Sequence, residues 1–259
     1  FMALANGGTL CLARQEVLAS GPALLDLLKQ ERVHIVTLPP SMLSVLPPAS
    51  LPDLRTVISA GEACTAELVA QWAPGRTFFN AYGPTETTVC ASMYRCEEHE
   101  TADPPIGRPI GNSRLYIVDA NDQPLPVGVP GELCIGGVNV GHGYLNRPEL
   151  TAEKFIRDPF VSDASTPLYK TGDLVRYRPD GNIEFLGRID HQVKVRGFRI
   201  ELGEIEATLR QHDDVQDAVV LARDDTPGGR QLVAYVTAAD SVAPEIDDLR
   251  GFLRGVLPE

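Results

Sequence analysis

An α/β fold in three parts is what this sequence predicts, and three observations predict it. Across residues 1–110, apolar β-branched runs alternate with helix-type patterns, which implies a parallel-sheet α/β core subdomain. Across 111–189, short strands and turns follow one another, implying a β-rich subdomain in the form of a distorted, partly open barrel. Across 190–259 helix and strand patterns mix again, implying a small α+β C-terminal subdomain.

The elements follow in chain order. Ser20-Gly21-Pro22 starts a helix, with proline near the first helical position and Leu24, Leu25, Leu27 and Leu28 as its apolar face. Val33 to Leu38 suits a buried strand that stops at Pro39-Pro40, and Ser41 to Leu46 a short helix. Arg55 to Ser59 and Thr77 to Asn80 read as strands, with a helix from Thr65 to Trp72 between them, capped by Thr65. In a parallel sheet, three loops then lie at strand carboxyl ends: Thr37-Leu38-Pro39-Pro40, Ser59-Ala60-Gly61-Glu62 and Asn80 to Glu86. Open α/β sheets bind their ligands there.

Farther on, Leu115 to Val118, Glu132 to Gly136, Leu174 to Tyr177 and Ile183 to Leu186 read as strands. The last two are joined by Pro179-Asp180-Gly181-Asn182, a strong hairpin turn. After Asp190, strands are expected at Gln192 to Val195, Asp217 to Ala222 and Gln231 to Thr237, the last reached across a Pro-Gly-Gly turn. Glu201 to Gln211 reads as a helix. Pro244 to Leu257 reads as an amphipathic one, with Ile246, Leu249, Phe252, Leu253 and Val256 on one face.

Composition excludes several classes of function. With 259 residues, 43% of them hydrophobic, the chain can bury a sizeable core. No run approaches the roughly 18 to 20 apolar residues of a membrane helix, and Phe1-Met2-Ala3-Leu4-Ala5 has no basic signal-peptide region. Opening without a Met initiator and stopping abruptly at Pro258-Glu259, the chain reads as a fragment. The five cysteines include no C-x-x-C pair and the five histidines no zinc spacing, so free thiols in a reducing cytoplasm are expected. A net charge of −12 disfavours nucleic acid or an anionic membrane as a partner.

The chemistry concentrates at Asn80-Ala81-Tyr82-Gly83-Pro84-Thr85-Glu86. Asn80 can donate to and accept from an adenine edge, and Tyr82 offers a flat face to a base. Gly83-Pro84 turns the chain and permits close backbone approach. Thr85 can bond a phosphate oxygen, and Glu86 can hold a magnesium ion that bridges phosphates. Taken alone, seven residues fit a strand end and an ordinary turn equally well. Gly131 to Gly143 is rich in glycine, but no helix follows to aim amides at a phosphate, so those glycines read as structural.

The motif is not alone. Asn80 to Glu86 resembles the adenine-binding motif of nonribosomal peptide synthetase adenylation domains, which are adenylate-forming enzymes. Gly131-Glu132-Leu133-Cys134-Ile135-Gly136-Gly137 with Gly141-His142-Gly143-Tyr144-Leu145-Asn146-Arg147-Pro148, then Tyr169-Lys170-Thr171-Gly172-Asp173, then Leu186 to Glu206 are similar to three further motifs of that family, in order. The resemblance implies ATP or AMP contacts at Gly61, Glu62, Ala63, Asn80, Ala81, Tyr82, Gly83, Thr85, Asp173, Phe185 and Arg188. It implies Thr85 and Glu86 as catalytic residues, Glu86 as the Mg2+ ligand and Asp190 as the hinge of a rotating C-terminal subdomain. Arg196-Gly197 would lie on a loop that swings toward the site.

It further implies amino-acid activation with ATP, followed by transfer to the phosphopantetheine thiol of a carrier domain, with a condensation domain as a further neighbour. The amino-acid pocket would be lined by Thr37, Ile58, Ala60, Ala81, Val89 and Cys90, a neutral wall of small residues that suits phenylalanine or tyrosine. The family's upstream phosphate loop and its C-terminal catalytic Lys have no match in these residues, so the chain by itself is expected to be inactive. An acyl-CoA synthetase or luciferase-like relative, and a non-catalytic remnant, are the alternatives.

Overall fold

The computed structural model describes residues 2–47, 49–162, 166–190, 192–195, 197–223, 231–239 and 243–258. It divides into two compact units, 1–189 and 190–259.

In the first unit, α1 (Met2–Ala5), α2 (Gln15–Ala19) and α3 (Gly21–Gln30) lead into β1 (Ile35–Leu38), α4 (Pro40–Val45), β2 (Thr56–Ala60), α5 (Ala66–Trp72) and β3 (Thr77–Tyr82). β4 (Ser92–Cys96) and β5 (Arg108–Pro109) complete a sheet ordered β1-β2-β3-β4-β5. The first three strands are parallel, as their helical crossovers require, and the last two antiparallel. Strand alternation sends Leu38, Val57, Phe78 and Cys96 to one face. There they pack with Leu24, Leu25 and Leu28 of α3, Leu43 of α4, and Leu68, Val69 and Trp72 of α5. Thr65 caps α5 as expected: its hydroxyl oxygen accepts from the Leu68 amide at 3.3 Å.

Two expectations are corrected here. β1 is not a buried strand: Ile35 is 61% exposed, and among the described strands β1 pairs with β2 alone. β3 runs two residues past Asn80 because Ala81 and Tyr82 pair with Met93 and Ser92 of β4. β4 and β5 are additions that the sequence pattern does not announce.

The second sheet comprises β6 (Ser113–Val118), β7 (Gly131–Gly137), β8 (Phe155–Arg157), β9 (Pro167–Tyr177) and β10 (Ile183–Arg188), with α6 (Pro148–Lys154) before β8. Its order is β10-β9-β7-β6 with β8 on β9, every pair antiparallel, curled as a half-barrel. The 179–182 turn forms, with Gly181 at φ +81° and the Asn182 amide donating to Asp180 Oδ1 at 2.9 Å. Leu133, Ile135, Tyr169, Val175 and Ile183 form its core together with Tyr82, Ala91 and Ile106, so the end of β3 is built into the second sheet's interior. Sequence periodicity misses α6, β8 and the first half of β9.

The second unit pairs β11 (Val193–Val195) with β12 (Phe198–Ile200), and β13 (Val215–Arg223) with β14 (Gln231–Ala238), around α7 (Leu202–Leu209) and α8 (Ile246–Val256). β12 is a further strand beyond those expected. Leu202, Leu209, Val215, Ala218 and Val220 form the unit's core. On α8 the expected face is only partly used: Leu249 and Leu253 pack on that core, while Ile246 and Val256 are 65% and 56% exposed. His191, Arg196 and the Pro-Gly-Gly turn lie outside the described residues. Among those described, no helix is long and apolar enough to cross a membrane.

Candidate active site

Parallel pairing sets the carboxyl ends of β1, β2 and β3 side by side. Thr37 registers with Ile58, and Ala60 with Ala81. These four of the six expected pocket residues therefore share one face of the sheet, opposite the face under α3 and α5. The loops are also tied to one another. The Glu62 carboxylate accepts from the Ser41 amide at 2.8 Å and from its hydroxyl at 3.1 Å, joining the turn after β2 to the first turn of α4. Glu62, expected at the nucleotide, thus carries an anchoring task at a helix start. Gly61 turns the chain at φ +95°, beside exposed Ala63.

Asn80, expected at the adenine edge, has a structural task in the sheet. The side chain is 4% exposed, and its amide nitrogen donates to the carbonyls of Pro105 at 2.9 Å and Pro104 at 3.3 Å. Because β3 continues beyond it, Asn80 lies inside the sheet and pins the 104–105 loop, its donors already engaged.

Tyr82 lies two residues further along the same face. Its hydroxyl donates to Asp173 Oδ2 on β9. Arg188 of β10 donates to Asp173 Oδ1 at 2.7 Å, with the two side chains 14% and 8% exposed. The Asp173 amide donates to Thr171 Oγ1 at 3.0 Å, and that hydroxyl donates onward to the Leu133 carbonyl at 2.7 Å. Tyr82, Asp173 and Arg188 thus form a buried cluster drawn from three strands and two sheets. Burial, and then the Asp173 charge, pushes the Tyr82 phenol well above its ordinary range, so it stays a donor.

Thr85–Thr87 form a single 3-10 turn that leaves Thr85 exposed and Glu86 half-buried. The glycine-rich segment, which carries no chemical role in the sequence reading, grips this turn. Glu86 Oε1 accepts from the Tyr144 hydroxyl at 2.5 Å, and the Glu86 carbonyl from the Gly141 amide at 2.8 Å. Asn139 Nδ2 donates to the Thr87 carbonyl at 3.1 Å, and the Thr88 hydroxyl to the Asn139 carbonyl at 2.8 Å. Burial and the bond to Glu86 raise the Tyr144 phenol far above its usual range. No local spacing signals this grip, since its partners lie more than fifty residues apart.

Gly83 matters for a different reason than expected. A Cβ there would meet the Val89 carbonyl and the Cys90 Cα at 2.7 Å, so the close approach is to the protein's own backbone. Thr88 and Val89 sit at φ +56° and +73°, and the Cys90 amide bonds the Thr88 carbonyl at 2.9 Å. That closes a γ-turn of the strained hand around a β-branched residue. It leaves Val89 77% exposed, while half-buried Cys90 donates to the Ser92 carbonyl at 3.2 Å. Phe185 packs against the core of the second sheet. Asp190 is exposed at the start of the second unit, where its carboxylate accepts from the Gln192 amide at 3.2 Å.

Hard oxygen donors at Thr85 and Glu86 fit a magnesium ion shared with phosphates, and the Asp173 carboxylate fits the hydroxyls of a sugar. This chain belongs to the AMP-binding enzyme family, whose profile matches residues 1–145, with the family's C-terminal domain profile at 204–259. Within that family, nonribosomal peptide synthetases are homologous to it along its whole length. It is 56% identical over its whole length to a linear gramicidin synthase of Brevibacillus parabrevis and 51% identical over 93% of its length to bacitracin synthase 3 of Bacillus licheniformis. It spans only 5% and 4% of those two proteins. Among solved structures, PA1221, an NRPS protein containing adenylation and PCP domains, superposes with a TM-score of 0.83 at 26% identity, over 98% of this chain and 52% of that one.

Proposed function

We propose that this chain supplies the adenine, ribose and magnesium side of an amino-acid-activating site. The reaction is ATP plus amino acid to aminoacyl-adenylate and pyrophosphate, followed by transfer to the phosphopantetheine thiol of a carrier domain. The observation that carries the reading is the Tyr82–Asp173–Arg188 cluster. It joins the motif at the end of β3 to the motif on β9, as one site built from both would require. Relatives that are multidomain peptide synthetases, and a neighbour containing a PCP domain, support the carrier step.

In this reading Asp173, oriented by Arg188, receives the ribose hydroxyls through charge-assisted bonds of about 1.5–3 kcal/mol each. Tyr82 presents its ring to the base. Thr85 would hold a phosphate oxygen and Glu86 would hold Mg2+, which when bound would supply neutralisation of phosphate charge. Thr37, Ile58, Ala60 and Ala81 form the floor of the amino-acid pocket, with Val89 and Cys90 at its rim. No charged side chain is among them, which favours a large neutral substrate such as phenylalanine or tyrosine. Asp190 serves as the hinge. A reducing, cytoplasmic setting suits the free thiols Cys11, Cys64, Cys90, Cys96 and Cys134.

The test is amino-acid-dependent pyrophosphate exchange, with all twenty amino acids, on the full natural polypeptide that carries this chain. Exchange peaking with phenylalanine or tyrosine, and an ATP KM raised at least tenfold by Asp173→Ala, is the expected result. Exchange that ignores Asp173→Ala removes that carboxylate from the site. The isolated chain should show no exchange, and turnover at the parent's rate would contradict that.

A further inference from the structure

The glycine-rich segment before α6 has the composition of scaffolding, yet its contacts fall on the one carboxylate assigned to the cation. We infer that Tyr144 is a positioning residue for Glu86, fixing one carboxylate oxygen and thereby the orientation in which the group would take a divalent cation. The inference rests on the reading of Glu86 given above.

Among the described residues, four hydrogen bonds join 139–144 to 86–88, and the one from Tyr144, at 2.5 Å, is made to the Glu86 side chain itself. The other three hold the backbone on which Glu86 rides. Tyr144 is itself held from three sides. Its amide donates to Thr151 Oγ1 of α6 at 2.9 Å. Its ring meets Phe155 edge-on at 5.4 Å between centroids. Its hydroxyl lies 3.4 Å from that of Tyr169, a side chain only 1% exposed. Gly143, at φ +132°, brings Thr151 so close that a Cβ would lie 2.3 Å from its methyl group, so the loop has little room to carry Tyr144 elsewhere. Such rigid support around a ligating side chain is what sets metal affinity in outer-shell arrangements.

The chemistry is a restraint on one carboxylate. Oε1 takes the phenolic hydrogen, which restrains the rotation of the group and so the orientation in which it would meet a hard cation. Loss of the phenol removes this one fixed contact, and cation binding must then supply more of the ordering of the carboxylate.

The experiment uses the full natural polypeptide, purified, with Mn2+ as the probe. Free Mn2+ is followed by electron paramagnetic resonance during titration in the presence of a non-hydrolysable ATP analogue. Wild type is compared with Tyr144→Phe, Glu86→Gln and the double variant. Tyr144→Phe, which keeps the ring, is expected to weaken the Mn2+ midpoint about tenfold. Amino-acid KM in pyrophosphate exchange should change less than about twofold. In the Glu86→Gln background, adding Tyr144→Phe should shift the midpoint less than about twofold, because the group it orients no longer binds the cation. An unchanged midpoint in Tyr144→Phe overturns the inference, as does an equal loss in both backgrounds, which marks a general structural role. If wild type exchanges pyrophosphate normally but Glu86→Gln leaves the Mn2+ midpoint untouched, the assignment of Glu86 has failed instead.

Discussion

The two faces of the β1–β3 sheet come from the same strands and behave as different materials. Phe78, Val57 and Leu38 lie on the face under α3, α4 and α5, with Phe78 and Val57 wholly buried. One residue over, Thr37 is exposed and Ile58 and Phe79 are half-buried. Toward the carboxyl end the packed face turns polar without loosening. Asn80 and Tyr82 follow Phe78 at two-residue intervals, and each hands its hydrogens to a fixed acceptor. The other face carries no charged side chain among these residues and ends at the small Ala60 and Ala81. One period-two pattern thus makes a framework on one side and a candidate recognition surface on the other.

Substitutions in neighbouring positions can sharpen or break that contrast. Phe78→Ala should cost about 3–5 kcal/mol in chemical denaturation of the first unit, from lost burial plus a cavity. Phe79→Ala, one residue away, should cost less than half as much; equal losses would erase the distinction between the faces. Asp173→Asn should come next, at about 3 kcal/mol, because it removes the charge of a largely buried ion pair. Tyr82→Phe should cost about 1 kcal/mol, since the ring stays and one hydrogen bond goes. Thr65→Ala, which touches neither face, should cost about 1 kcal/mol through loss of the α5 cap.

The buried thiols give the contrast a pH dependence. Burial raises Cys64 to about 11, and Cys96 and Cys134 to about 12. Folded values above unfolded ones mean the contribution is complete below the unfolded thiol range, about 8.5. It is then lost as pH climbs toward 11–12, because the unfolded chain has released protons the folded chain retains. Thermal melts should therefore fall steadily above about pH 9. In native labelling at about pH 8, exposed Cys11 should react with maleimide well before Cys134; comparable rates would mean the second sheet opens readily.

Much of this is legible in the sequence, for physical reasons that also mark where reading stops. α3, α5 and the parallel strands announce themselves through local signals: Pro22 at a helix start, Thr65 at a cap, apolar β-branched runs between them. Tyr82, Asp173 and Arg188 can be read from sequence only as separate members, because their meeting depends on how two sheets share a core. β4 escapes reading since its partner strand, not its own pattern, makes Ser92 to Cys96 extended. The anchoring of Glu62 by Ser41 and of Glu86 by Tyr144 lies beyond any local rule, being set by which loops happen to touch.

The grip of residues 139–144 on residues 86–88 also bears on how such chains can be recombined. A crossover anywhere between Cys90 and Val138 takes the two halves of that contact from different parents. Because two of its bonds use the side chains of Asn139 and Tyr144 against a partner's backbone and carboxylate, mismatched parents can lose it while every motif survives intact. Hybrids spliced before Asn80 or after Thr151 inherit the contact whole, and should retain activity more often than those spliced inside it.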